Sequence, residues 1–342
     1  MKQYDVIIVG AGPAGLRCAE ILGQSEKKVL LLEKKPETGP KVCAGSITRK
    51  SLEIMEIPHN LFEFEINKAK IVVPKSEFTT RYEKGPFAFM INRKTFGQWQ
   101  QKKLKGTQVE IMTSALVTNI EKGHIEINRK TKFGYQYLVG ADGAYSKVRR
   151  FLRLPVKKRL ITFQYLIPAK ESRRFEIYMD SRYFQSGYGW VFPHKGHLSV
   201  GCLADPHHFS PQILKANFHR WLKEKGFDIS HAGYQSFPIA YDYRGYRFGN
   251  IFLAGEAAGL ASGLTGEGIY AALISGEEIA RMILDPCHPD EKMQSVLHYK
   301  RVQDNFLQLL NAAGPLRQSI FNTILYLMNN KRFNRKVTNG FS

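Results

Sequence analysis

Three glycine-rich junctions, and the polar residues set among them, hold most of the chemistry this chain could do. The first, Gly10-Ala11-Gly12-Pro13-Ala14-Gly15, follows the apolar run Tyr4-Asp5-Val6-Ile7-Ile8-Val9. Gly10 permits a tight turn, Gly12 lets the backbone approach a pyrophosphate, and Gly15 lets the next helix pack closely on the strand. Glu33 closes a second apolar run, Val29-Leu30-Leu31-Leu32, where a carboxylate can accept hydrogen bonds from both ribose hydroxyls. A 2′-phosphate would be repelled there. The same pattern also fits a plain βαβ unit without a ligand.

The second junction is Gly140-Ala141-Asp142-Gly143, with Ser146 placed to cap a helix. Asp142 could tie two binding loops together, or it could be a turn aspartate bonded to its own backbone. The third runs Gly255-Glu256-Ala257-Ala258-Gly259 and then Leu264-Thr265-Gly266-Glu267-Gly268-Ile269. Glu256 could reach a ligand hydroxyl. The amides near Gly268 and Ile269, backed by a helix dipole, favour negative charge on a ligand. Cys43, in Lys41-Val42-Cys43-Ala44-Gly45, could touch a flat ligand or be an incidental thiol. Arg93 could pair with phosphate or lie on the surface.

These residues need elements to hold them. The first junction reads as strand, helix, strand, one βαβ unit. Residues 160–203 carry alternating aromatic patterns that predict an antiparallel sheet. Within it Tyr188, Trp190 and Phe192 fall at i, i+2 and i+4, so they share one strand face. That face suits either an apolar cavity or a sheet core. A helix follows from about Pro211 to Lys225, and Ile251-Phe252-Leu253-Ala254 reads as another buried strand leading to a helix that ends near Leu284. The C-terminal part is helical with apolar positions at helical spacing, broken at Gly314-Pro315 and followed by the basic cluster Lys331-Arg332-Phe333-Asn334-Arg335-Lys336. Such a helix could lie on a membrane or dock on the core.

Composition narrows the classes. The chain has 342 residues, enough for one or two domains with a sizeable core. No apolar run is long enough to span a bilayer, and the first apolar run is the strand itself, so a cytoplasmic protein is expected. The four cysteines, Cys18, Cys43, Cys202 and Cys287, form no CxxC pair, which argues against a metal site or disulfide framework. A net charge of +20 favours anionic partners. The basic residues are dispersed and no nucleic-acid motif accompanies them, so they read as a solvated basic surface for the most part, or as one drawn to an anionic membrane, and not as a nucleic-acid site.

Taken together, the three junctions resemble the FAD-dependent oxidoreductases of the para-hydroxybenzoate hydroxylase fold. Lys41-Val42-Cys43-Ala44-Gly45 and Tyr188-Gly189-Trp190-Val191-Phe192-Pro193 look like the Cys-Gly loop and Y-x-W-x-F-P strand of the geranylgeranyl reductase family. The resemblance covers about residues 1–285. It implies an α/β fold: a Rossmann-like FAD-binding domain with a mixed parallel sheet, an antiparallel β-sheet substrate domain, and C-terminal helices. The expected boundaries are 1–60, 88–158 and 240–288 for the FAD-binding domain, 61–87 and 159–239 for the substrate domain, and 289–342 for the helical segment and basic tail.

The resemblance further implies FAD held by Gly10, Gly12, Pro13, Ala14, Gly15, Glu33 and Lys34 at the ADP end. Arg93 matches a phosphate-binding arginine, and Ala115 a backbone contact to adenine. Asp142, Gly143, Glu256, Gly268 and Ile269 match contacts to the rest of the cofactor. Cys43 and Ala44 would lie beside the isoalloxazine, with Cys43 as the candidate catalytic residue, and Tyr188, Trp190 and Phe192 would line the substrate cavity. The implied activity is reduction of carbon–carbon double bonds in an isoprenoid or lipid, with NAD(P)H or a protein as electron donor. A flavin monooxygenase of aromatic compounds and a non-catalytic prenyl-binding protein are the alternatives. The sequence departs from the family in four places: Glu256 for Asp, Gly263 for Pro, Ala44 for Gly, and Leu203 for the second of two glycines.

Overall fold

The computed structural model describes residues 1–82, 85–170, 172–206 and 210–328. The basic cluster Lys331–Lys336 lies outside them. β-Branched residues fill the strand Lys2–Val9, and Val6, Ile7 and Ile8 are fully buried, as expected of a strand covered on both faces. It pairs in parallel with Thr131–Gly140 on one side and Val29–Leu32 on the other. Val109–Met112 extends the sheet beyond Val29–Leu32, and Ile251–Leu253 extends it beyond Thr131–Gly140. Arg247–Phe248 closes that edge antiparallel. A hairpin of His124–Ile127 with Thr131–Gly140, joined by Val117–Glu121, completes eight strands.

A second eight-stranded sheet is built mainly from Arg159–Pro168, His197–Ala204 and Tyr188–His194, paired antiparallel. One pairing departs from the antiparallel expectation: Glu176–Tyr178 runs parallel to Lys68–Val73. The latter strand arrives from a distant part of the chain, so a hairpin connection is not required. A small third sheet joins Ser46–Thr48, Ala88–Ile91 and Phe62–Ile66. The C-terminal helices are Glu291–Ala312 and Arg317–Met328, separated by a tight turn at Gly314–Leu316. Among the described residues no helix is long and apolar enough to cross a membrane, and no cluster of three or more potential metal ligands occurs.

The helix Pro13–Leu22 is wedged between the parallel sheet and the helix Ile269–Leu284. Backbone meets backbone on both sides. A Cβ on Gly15 would stand 1.9 Å from the Gly10 carbonyl oxygen, and one on Gly276 2.2 Å from that of Ala14. Arg17 ties the two helices through Glu277, whose carboxylate also receives Arg281 and Lys292. Burial opposes the Glu277 charge, but the hydrogen bonds from Arg17 and Lys292 prevail and hold its pKa below the usual carboxylate range.

Gly276→Ala should force these helices apart and lower the unfolding free energy by about 1–3 kcal/mol. Urea denaturation of wild type and variant measures it, and coincident midpoints would show that the contact carries no constraint.

Candidate functional site

One continuous cavity of about 1170 Å³ runs from the Gly10 turn, past the Cys43 loop, to the inner faces of the C-terminal helices. It exceeds the roughly 300–1,000 Å³ usual for a single small-molecule pocket. The structure brings Gly10, Gly12, Pro13, Ala14, Glu33, Lys34, Cys43, Ala44, Arg93, Ala115, Asp142, Gly143, Glu256, Gly268 and Ile269 to its wall, together with Tyr188, Trp190 and Phe192. Gly15 is the exception. It sits behind the wall, where its missing side chain sets the approach of helix to strand.

At the narrow-turn end, Gly10 adopts φ +103°, and a Cβ there would meet the Ala141 carbonyl at 2.5 Å. Gly12 faces open space, with nothing within 4 Å of a built Cβ. It begins the helix Pro13–Leu22 without a side-chain cap, so the first amides of that helix are left for a ligand. The helix Ile269–Leu284 likewise starts at Gly268 with no side-chain cap. By contrast, Asn92, Ser146, Asp180 and Ser210 each cap a helix of their own.

The Glu33 carboxylate accepts the Ala11 amide and the Lys35 amide, each at 3.0 Å, which fixes its orientation and leaves lone pairs on both oxygens. Ala115 donates its amide to the Glu33 carbonyl at 2.9 Å. It precedes the strand that starts at Val117 rather than lying within it. Asp142 accepts the Lys147 amide at 2.7 Å, so it does serve its own turn. Its second oxygen is buried with no hydrogen-bond partner, and burial pushes its pKa up despite the hydrogen bonds that oppose this. Arg93 Nε is also buried and unpartnered while the residue lines the cavity. A dinucleotide fits this set. It would put phosphates over Gly12, supply an acceptor for Arg93, and offer ribose hydroxyls to Glu33.

Glu256, expected to reach a ligand hydroxyl, lines the cavity and has two partners of its own. Its oxygens are engaged by Lys41 Nζ at 2.5 Å and by the Ala240 amide at 3.0 Å. The longer side chain thereby bridges the Cys43 loop and the strand Ile239–Ala240. The other departures also have physical partners. The Tyr241 ring stands 2.6 Å from where a Gly263 side chain would begin, and Leu203 packs against Gly266 on the cavity wall.

The Cys43 loop is held by residues that sequence reasoning missed. Gln164 Nε2 donates to the Cys43 carbonyl at 3.4 Å, and His194 Nε2 contacts the Ala44 carbonyl at 2.9 Å. A carbonyl only accepts, so His194 Nε2 donates to it, while Nδ1 faces the Glu63 carboxylate. Gly45 makes this possible, because a Cβ there would strike the His194 ring at 2.3 Å. Trp190 Nε1 donates to Ser199, and Ser199 to Gln164, so the tryptophan and the cysteine loop share one hydrogen-bonded chain. Gly201 makes room for that tryptophan. Arg149, buried, donates to the carbonyls of Ala257 and Asp242 and so anchors the Gly255–Gly259 junction.

Beyond Cys43 the wall turns apolar. Phe192 stacks on Phe175, with ring centroids 4.1 Å apart, and Tyr188 closes the corner by donating to the Thr265 carbonyl. Ile71, Ile177, Leu203, Leu264, Phe306, Leu310, Phe321, Ile324 and Met328 continue the lining. Trp190 and Phe192 are therefore both core residues and cavity wall. Glu267 is the acid that stands at the border between the polar and apolar parts, where Thr48 donates to it at 2.9 Å. Its position between Gly266 and Gly268, just ahead of an apolar helix, was the available signal.

Comparison with known proteins agrees with this geometry. Residues 4–166 match the pyridine nucleotide-disulphide oxidoreductase family model, and residues 121–284 the FAD binding domain model. An uncharacterized protein of Methanosarcina barkeri is 30% identical over 83% of this chain and 75% of its own length. A geranylgeranyl diphosphate reductase of Rhodobacter capsulatus is 26% identical over 81% of this chain and 74% of its own. Among solved structures, a geranylgeranyl bacteriochlorophyll reductase-like protein of Thermoplasma acidophilum superimposes with a TM-score of 0.79 at 19% identity, covering 97% of this chain and 92% of the other.

Arg93→Gln should weaken FAD binding by roughly 1.5–3 kcal/mol, about ten- to a hundredfold in Kd. Visible absorbance after dialysis measures retention, and full retention by the variant would remove Arg93 from the cofactor's contacts.

Proposed function

Because the chain belongs to the geranylgeranyl reductase family of FAD-dependent oxidoreductases, we propose that it saturates carbon–carbon double bonds of an isoprenoid chain carried on a lipid. The observation that carries this reading is the long apolar compartment joined without a break to the cofactor cradle. A polar or compact aromatic substrate would gain little from walls of Phe192, Leu310, Phe321 and Met328. A flexible hydrocarbon gains about 25 cal/mol for each Å² it buries.

FAD supplies the hydride when bound and reduced. The chain's own residues bind, orient and exclude water. The uncapped amides at Gly268 and Ile269 offer positive potential to a negatively charged ring. Gln164 and His194 fix the Cys43 loop against that end of the cavity, with Cys43 as its candidate reactive group. Trp190 and Phe192 wall off the reacting segment of the substrate. The reading takes residues 1–60, 88–158 and 240–288 as the cofactor domain and 61–87 and 159–239 as the substrate domain. The reductant is NAD(P)H or a protein donor.

We place the substrate's source at an anionic membrane. The helices Glu291–Ala312 and Arg317–Met328 contribute Phe306, Leu310, Phe321 and Ile324 to the cavity wall. These helices and the turn between them leave Leu309, Leu316 and Tyr326 exposed, at 56%, 68% and 77%. Exposed apolar side chains on or between elements that also line the cavity, on a chain of net charge +20, suit a lipid surface.

Dithionite-reduced protein, free of oxygen, should be reoxidised on adding a geranylgeranyl lipid, with loss of double bonds seen by mass spectrometry. Oxygen-dependent hydroxylation of the substrate in place of saturation would point to a monooxygenase and overturn the reading. Ile324→Trp should block the geranylgeranyl chain while sparing a shorter prenyl chain. Equal rates for both would show that the chain does not enter this compartment. Binding to anionic vesicles, followed by sedimentation, should exceed binding to neutral ones and fall with added salt.

A further inference from the structure

Saturating a double bond requires a proton as well as a hydride, and the cavity wall limits what can deliver it. Glu33 is committed to two backbone amides, and Asp142 is held beneath the second glycine junction by the Lys147 amide. Glu256 is paired with Lys41. Tyr188 already gives its hydroxyl proton to the Thr265 carbonyl, and burial pushes its pKa up. Cys43 is the candidate reactive group of its own loop, where its Sγ accepts the Gly45 amide. Glu267 is different. It lines the cavity at the border of the apolar compartment, with Gly266, Gly268 and Tyr188 as neighbours on the wall. The Thr48 hydroxyl orients it at 2.9 Å.

We propose that Glu267 is the proton donor for this reduction, acting on the carbon that does not receive the hydride. The proposal rests on the reductase reading above. In the step, one carbon–carbon π bond breaks and two C–H bonds form. One takes the hydride with both electrons from the reduced cofactor, which ends oxidised. The other takes the Glu267 proton, leaving a carboxylate that regains a proton from water before the next turnover. The surroundings favour a proton held in reserve. Burial raises the Glu267 pKa, and it outweighs the Thr48 hydrogen bond and the charge of Lys50 on helix Arg49–Ile54. The other titratable groups facing it, Tyr188, Tyr270 and Tyr299, all have pKa values raised further by burial, so they stay neutral. Cys43 and Glu53 lie one neighbour further out, beside Tyr188 and Tyr270.

The test compares wild type, Glu267→Gln and Glu267→Asp, each loaded with FAD. Infrared difference spectroscopy between neutral and alkaline pH should show a protonated-carboxyl band in wild type that Glu267→Gln lacks. Single-turnover reduction of a geranylgeranyl lipid should slow by about 10²-fold or more in Glu267→Gln. FAD absorbance and reduction by dithionite should match wild type. Acid-form activity is present below the Glu267 pKa and lost as pH rises through it; Glu267→Asp should keep that limb at a shifted pH, and Glu267→Gln should lack it. A wild-type rate in Glu267→Gln, or a carboxyl band that survives the substitution, overturns the proposal while leaving the reductase reading intact. Failure of wild type to reduce any polyprenyl lipid overturns the reductase reading, and the donor role with it.

Discussion

Contact between main chains, with no side chain between them, fixes the position of nearly everything else in this protein. Gly15 lets the first helix touch the turn at Gly10, and Gly276 lets the helix Ile269–Leu284 touch the first helix at Ala14. Protein interiors are close-packed, so an added methyl at either point must move a whole element. The two helices consequently present their uncapped N-terminal ends to the same cavity. Both dipoles turn their positive ends to that cavity, where they favour negative charge on a bound ligand. The Arg17–Glu277 pair reinforces the approach, but geometry rather than charge is the primary constraint, since a buried ion pair gains little net energy after desolvation.

The substrate sheet is registered to this frame by a small number of polar links. Gln164, His194 and Glu256 reach across to the Cys43 loop or its lysine, and Arg149 holds the third glycine junction from beneath. Each is buried or nearly so: Gln164, His194 and Arg149 contact backbone carbonyls, and Glu256 accepts from a lysine and a backbone amide. In a low-dielectric setting such links fix geometry more effectively than apolar contacts, which tolerate sliding.

What could be read from the sequence follows from how local each requirement is. Gly10, Gly12 and Gly15 express their roles within six residues, and Glu33 belongs to the same βαβ unit. Tyr188, Trp190 and Phe192 declare a shared face through strand periodicity alone, though not whether that face was core or cavity; it is both. Gln164, His194 and Glu63 gave no such signal. Their contacts with the cysteine loop and with one another span 121, 150 and 131 residues, and no local pattern marks them. Glu256 was legible as a polar residue at the third junction, but its ties to Lys41 and Ala240 depend on how two sheets meet. The parallel pairing inside the second sheet was hidden for the same reason.

That parallel pairing has a consequence for how the molecule is made. Lys68–Val73 leaves the ribosome long before Glu176–Tyr178, the strand beside which it must lie, and the parallel sheet is not finished until Ile251–Leu253 emerges. Neither half of the molecule can mature first, because each waits on segments interleaved with the other. Non-local pairing of this kind slows folding and leaves strand edges exposed in the interval. The nascent chain thus passes through a prolonged period in which an apolar cavity wall faces water, and a bound cofactor spanning both early and late segments would shorten it.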